Sequence, residues 1–216
     1  PVFNVSNLDG SNGFRLDGAN SYSLSGIQDG SLGDINGDGF SDVTVDAQYA
    51  RGLGVSYVVF GQAAGFSATK DLSSLDGHDG FRVHGMATYG SSGIFIANGG
   101  DINGDGIEDM IVSESATTFS NERLSHTYVV FGKTAGFEED IDLTSLDGED
   151  GFGLQGAPGS FDRIERAGDI NGDGFADVIA SSVTIASIGP TSGFSTVVFG
   201  RASGFDPVVA LTSLDG

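Results

Sequence analysis

The segment Gly33-Asp34-Ile35-Asn36-Gly37-Asp38-Gly39-Phe40-Ser41-Asp42 returns at Gly100 to Asp109 and again at Gly168 to Asp177, so that its first aspartates (34, 101 and 169) stand 67 and 68 residues apart. A chain that repeats itself at such a period builds similar units that bury their apolar faces on one another. Other markers recur in the same order. Val-Val-Phe-Gly recurs at 58–61, 129–132 and 197–200, followed each time by a small residue, Gly and Phe at 64–66, 135–137 and 203–205. Leu-Asp-Gly stands at 8–10, 75–77, 146–148 and 214–216, and the first three copies run on into x-x-Gly-Phe.

Each period reads as strands. Apolar, β-branched runs open at Asp42, Asp109 and Asp177, the composition that suits a pleated, half-buried surface. Tyr57 to Phe60, Tyr128 to Phe131 and Thr196 to Phe199 give a second run, and Phe81 to His84 with its equivalents a third. The stretches leading into the aspartate loops, Leu24 to Leu32, Gly93 to Asn98 and Asp162 to Ala167, fit a fourth. No window sustains helical periodicity, and 36 glycines against 4 prolines suit many tight turns. The expectation is an all-β chain of β-propeller blades, each of four antiparallel strands, three blades to the chain. The repeats are placed at approximately 19–85, 86–156 and 157–216, with 1–18 supplying a displaced outer strand.

These residues resemble the FG-GAP repeats of integrin-α-type β-propellers, through the aspartate loop, the apolar strand after it and the Val-Val-Phe-Gly strand. The Ser-Leu-Asp-Gly-x-x-Gly-Phe segments look most like large, repetitive, calcium-rich secreted proteins of bacteria. One departure is that the Phe-Gly preceding the loop is degraded to Leu24-Ser25-Gly26 and Phe161-Asp162. The resemblance implies that the Gly-Phe-Arg-Val-His segment closes a blade as its outer strand. Leu24 to Gly85 is then one blade and Ser91 to Gly156 a second. The third starts near Phe161 and stops at Leu214 to Gly216, short of the strand that Ser11 to Gly18 supplies at the other end. Two readings of that shift stand side by side. In one, two chains meet head to tail as a homodimer, each donating Phe14 to Gly18, to form a closed six-bladed ring. In the other, the chain is a fragment of one longer propeller. The opening Pro-Val-Phe-Asn-Val has neither a basic region nor an apolar run, and the expectation is an excised or processed piece.

The spacing Asp-x-Asn-x-Asp-Gly-x-x-Asp has a chemical reason. Calcium takes six to eight oxygen ligands at roughly 2.3–2.6 Å, and alternate residues of a tight loop aim oxygens inward. The first loop offers the side chains of Asp34, Asn36 and Asp38, the carbonyl of Phe40, and Asp42. The second offers Asp101, Asn103, Asp105, Ile107 and Asp109, and the third Asp169, Asn171, Asp173, Phe175 and Asp177. Three calcium ions (Ca2+) per chain are therefore expected. An EF-hand needs Glu at position 12, where this chain has Val45, Val112 and Ala180. The plainer alternative is an Asx-rich turn, against which stand nine carboxylates crowded into three short loops. Magnesium, which keeps its waters, fits less well. Asp76 and Asp147, in the Leu-Asp-Gly segments, lack closely alternating oxygens and read as ordinary turn residues.

Nine Lys and Arg against 30 Asp and Glu, a net charge of −21, argue against a nucleic-acid partner and against an anionic membrane surface. No run reaches the roughly 18–20 apolar residues of a membrane helix, so no membrane insertion is expected. The absence of Cys removes disulfides and thiolate metal sites. His78, His84 and His126 show no ligand pattern, and His84 reads as a solvent-facing strand residue. There is no nucleophile elbow, phosphate loop or dinucleotide fingerprint. The segments that differ most between repeats are Ala47 to Gly54, Ser115 to Ser125 and Ser182 to Gly193, read as loops and as the default binding surface. The functional expectation is a non-catalytic calcium-binding module for adhesion to, or recognition of, a protein or glycan, located outside the cell or on its surface. The alternative is an accessory propeller of a larger secreted hydrolase or toxin.

Overall fold

A computed structural model describes residues 4–18, 25–47, 54–85, 93–117, 123–156, 160–184 and 192–212. They form an all-β chain in which the only helical elements are three-residue 3-10 turns. Strands β2 (Ser25–Gly33), β3 (Asp42–Ala47), β4 (Val55–Val59) and β6 (Gly80–His84) make an antiparallel meander. The next period repeats it with β7 (Gly93–Gly100), β8 (Asp109–Thr117), β9 (Arg123–Val130) and β11 (Gly151–Gln155). The third contributes β12 (Ser160–Gly168), β13 (Asp177–Thr184) and β14 (Ser192–Val198). At the start of the chain, β1 (Arg15–Asp17) stands in the phase of β6 and β11.

The sequence reading expected four strands per period and missed a fifth. The short strands β5 (Thr69–Asp71), β10 (Asp140–Ile141) and β15 (Val208–Ala210) each run parallel to the last strand of the preceding unit, β1, β6 and β11 respectively. Two or three residues are too few to show a period-2 pattern. Just after β5 and β10, Asp71 and Asp142 cap a 3-10 turn by accepting a bond from the amide of Ser73 or Thr144, at 2.8 and 2.9 Å. That turn drops Leu72 or Leu143 into the core.

The loops expected at Ser115 to Ser125 and Ser182 to Gly193 are shorter than read. The β8–β9 ladder runs on through Ser115↔Ser125 to Thr117↔Arg123, and β13–β14 runs on to Thr184↔Ser192. Residues 48–53, 118–122 and 185–191, the rest of those segments, lie outside the described residues, as does Leu24.

Consecutive sheets stack face to face, with β7 packed on β2 and β3, and β12 on β7, β8 and β9. Period-2 alternation sends neighbouring residues to opposite neighbours. Met110 and Val112 enter the core shared with the first sheet, alongside Leu32, Ile35, Val58 and Phe81. Ile111 and Val129 enter the core shared with the third, alongside Ile164, Val178 and Ala180. Each joint carries the same aromatic pair. Phe14 stacks on Phe66 with ring centroids 4.0 Å apart, and Phe81 on Phe137 and Phe152 on Phe205 at 4.6 Å. Such a pair adds about 0.5–1.5 kcal/mol beyond the area its rings bury.

Candidate metal-binding loops

The aspartate loops connect β2 to β3, β7 to β8 and β12 to β13, at one end of each sheet. Their backbone turns on two glycines held at positive φ: Gly37 and Gly39 (72° and 91°), Gly104 and Gly106 (75° and 87°), Gly172 and Gly174 (77° and 96°). A Cβ would strain each of them.

Within that turn the side chains repeat one hydrogen-bond pattern. The first aspartate accepts from the amides that the loop folds over it. Asp34 takes bonds from Asp38 and Gly39 at 3.0 and 2.8 Å, and Asp101 and Asp169 take the equivalent pair and one more, from Gly104 and Gly172. Asn36, Asn103 and Asn171 each accept from the amide two residues on and donate Nδ2 to the carboxylate of Asp38, Asp105 or Asp173. Those three aspartates accept in turn from the amides of Phe40, Ile107 and Phe175 at 2.8–3.0 Å.

The ninth residue does something the spacing did not reveal. Asp42, Asp109 and Asp177 are fully buried, and each bridges two parts of its own unit. One oxygen accepts from the amide of Ile35, Ile102 or Ile170, and the other from the glycine that ends Val-Val-Phe-Gly, namely Gly61, Gly132 or Gly200. The repeated Gly is now explained by space. A Cβ on Gly61 would lie 2.6 Å from the Ser41 carbonyl oxygen, and one on Gly200 2.4 Å from that of Ala176. The signal was present in the sequence as two markers in fixed order, whose contact only the fold reveals.

Burial is the main force on the carboxyls of Asp42 and Asp109. It pushes Asp42 up to about 6 against the pull of the Gly61 and Ile35 amides, with the charges of Asp38 and Asp34 pushing the same way. Asp109 rises to about 7 for the same reason, with Asp105 adding to the effect. No cationic side chain forms a salt bridge with a loop carboxylate among the described residues.

The loops also hold one another. The carbonyl of Asp34 accepts from the amide of Glu108 in the next loop at 3.3 Å, and that of Asp101 from Ala176 at 2.8 Å. The carbonyl of Ile35 accepts from Lys133 at 3.0 Å, and that of Ile102 from Arg201 at 2.9 Å. The three loops thus form one row, bonded main chain to main chain.

All fifteen expected ligands fall in this row, loop by loop. Their donors are hard oxygens of the kind calcium takes, and they carry excess negative charge, so the donor chemistry fits the ion. The carboxylates are turned to the loop amides, and no three acidic or imidazole groups form a tight cluster among the described residues. Asp76 and Asp147 accept from His78 and Glu149 in simple turns at 3.0 and 2.9 Å. His84, expected to face solvent, is half-buried and lies 2.6 Å from Asp140, which Arg82 also holds, across the junction of β6 and β10. No protein-family model matches the sequence, and no curated protein matches it closely enough to count as a relative.

Proposed function

We propose that this chain is a calcium-stapled recognition module of the FG-GAP propeller type, acting outside the cell by binding rather than by catalysis. The observation that carries this reading is the threefold row of loops. In each, a buried aspartate ties the loop to its sheet while further carboxylates crowd the loop with no salt bridge to a cation among the described residues. A divalent cation held by Asp34, Asn36, Asp38, Asp42 and the carbonyl of Phe40, and by their equivalents, would neutralise that charge and cross-link the loop. The stacked sheets are the proposed blades. Because the loops are bonded to one another, filling them would stiffen the joints between blades. Weak, millimolar-range sites of this kind are filled outside cells, where calcium is plentiful.

The recognition surface falls at the other end of the sheets, on the β3–β4, β8–β9 and β13–β14 hairpins. They differ in length and composition while the rest of the unit repeats, and a protein or glycan is the partner proposed for them. Counting bound metal tests the first half of the reading. Native mass spectrometry in calcium is expected to find three ions per chain. Asp38→Ala, Asp105→Ala and Asp173→Ala are each expected to remove about one. A chain that binds no calcium at millimolar concentration would sink it. A glycan and matrix-protein array, run beside a panel of hydrolase substrates, tests the second half.

A further inference from the structure

We infer that Asn36 is a site of spontaneous covalent modification, losing its side-chain amide to attack by the backbone nitrogen of Gly37 well ahead of Asn103 and Asn171 in the other two loops. The three loops share one hexapeptide, Asp-Ile-Asn-Gly-Asp-Gly, at 34–39, 101–106 and 169–174. In each, Gly follows the Asn, with no side chain to shield its nitrogen and the widest backbone freedom to bring that nitrogen to the amide carbon. The intrinsic reactivity of the three steps is therefore equal, and a difference between them is made by the fold. Asn12-Gly13 and Asn98-Gly99 stand outside the loops in other sequence contexts.

The fold makes such a difference. The amides of Gly104 and Gly172 donate to Asp101 and Asp169 at 2.6 and 2.7 Å. A bond to a carboxylate is of the strong, charge-assisted kind. It keeps the proton on the nitrogen and aims the nitrogen at the aspartate instead of at its own asparagine. Asp34 accepts from Asp38 and Gly39, and among the described residues no acceptor meets the amide of Gly37. The asparagines themselves are restrained alike, Oδ1 by the amide two residues on and Nδ2 by the neighbouring carboxylate. Exposure selects a different loop. Asn171 is exposed where Asn36 and Asn103 are half-buried, and a Cβ on Gly172 would meet nothing within 4 Å where one on Gly37 would touch Thr134 and Ile107. The reaction begins inside one dipeptide, so the freedom of the nitrogen outweighs access from solvent.

Solvent base takes the amide proton of Gly37, and the nitrogen adds to Cγ of Asn36. The new C–N bond forms as the Cγ–Nδ2 bond breaks, and Nδ2 picks up a proton from water and leaves as ammonia. The succinimide ring that remains is opened by water at either carbonyl. The products are aspartate and isoaspartate, which carries one extra carbon in the main chain, and the net change is one water consumed for one ammonia released. Both add negative charge beside Asp34 and Asp38. On the calcium reading, on which this last consequence alone rests, isoaspartate displaces Asp38 and the Phe40 carbonyl, so the first loop loses its ion as the protein ages.

The test incubates the whole chain in chelator at physiological pH and temperature and digests samples with trypsin. Cleavage at arginine delivers the loops on separate peptides, 16–51, 83–123 and 167–201, and tandem mass spectrometry places each conversion. Asn36 is expected to convert about tenfold faster than Asn103 and Asn171, the factor that corresponds to one hydrogen bond to a charged group. In denaturant the three rates converge. Asp101→Ala releases the Gly104 amide and should speed Asn103 by about the same factor, with Asn171 in the same molecule unchanged. Asp34→Ala loosens the first loop without releasing Gly37 and should leave Asn36 near its parent rate. Circular dichroism checks that both variants are folded. Equal rates in the folded chain, conversion of Asn171 first, or an Asp34→Ala chain that speeds Asn36 as much as Asp101→Ala speeds Asn103 overturns the proposal. The incubation is repeated in calcium. A chain that binds no calcium gives the same rates in both solutions and keeps the order of the loops, so failure of the calcium reading is distinct from failure of this one.

Discussion

Two kinds of aspartate look alike in the sequence and differ in the fold. Asp105 lies at the exposed tip of its loop, and its expected role is to hold an ion. Asp109, four residues on, ties Ile102 to Gly132 from within the protein. Asp105→Ala should therefore lose metal with little change in the metal-free melting midpoint. Asp109→Ala strands two buried amides and should cost about 2–4 kcal/mol even without metal. Chemical denaturation in chelator separates them. Asp46 offers a cleaner titration. It is buried on β3, its carboxyl pushed up to about 7 by burial, with the Ser56 hydroxyl opposing at 2.5 Å and Asp29 adding to the rise. A folded-state pKa above the unfolded value favours the protonated form on folding. That contribution is whole below about pH 4 and is lost as pH rises through about 7. Asp46→Asn should thus match the parent near pH 4 and exceed it by about 2–4 kcal/mol at pH 8. Equal stability of the two chains at pH 8 would refute this.

At the scale of elements, the parts that repeat with chemical necessity were the legible ones. The loops and the strands opening at Asp42, Asp109 and Asp177 follow from glycine at positive φ and from β-branched runs, and both were placed correctly. The short parallel strands were not legible, because their partners lie more than fifty residues away and their own residues carry no period. Nor was the role of Gly132, which is absent from the glycines held at positive φ and is conspicuous only in space. A Cβ there would stand 2.3 Å from the Glu108 carbonyl oxygen and 2.9 Å from that of Ile35, in the unit before. Gly132→Ala should cost about 1–3 kcal/mol through the shift this forces. Gly136→Ala, at φ 86° with open space around it, should cost only the backbone strain, about 1 kcal/mol. Comparing the two melting midpoints tests whether crowding at the joint is the cause. The hairpin ends were read as loops because they differ between the repeats in length and content, whereas Ser115↔Ser125 and Thr117↔Arg123 are paired strand residues.

For the whole molecule, stability is distributed along a line. Each unit meets the next through an apolar core, a Phe–Phe stack and the main-chain bonds between loops. Under the calcium reading, each site filled at about 100 times its dissociation constant adds about 2.7 kcal/mol. Three sites together approach the full margin of an ordinary domain. Melting in millimolar calcium should therefore exceed melting in chelator by a wide interval, with the difference shrinking as loops are removed one at a time. An unchanged midpoint would contradict it.

The sameness of the joints sets how such a chain can vary in size. Excise residues 86–156 and Phe81 is left facing Phe205 where Phe137 had been, while the carbonyl of Asp34 finds the amide of Ala176 in place of Glu108. Both are partners that the second unit already accepts in its own joint. Insert a further copy and the same contacts are made twice. A change of length inside a strand or an aspartate loop breaks the joint and leaves a stack half built, whereas the hairpins absorb it, as the four extra residues between Asp109 and Gly132 relative to Asp42 and Gly61 show. The gene for such a protein is therefore free to lengthen or shorten by whole units, 71 codons for residues 86–156, and copy number is the variable that natural relatives should differ in most freely.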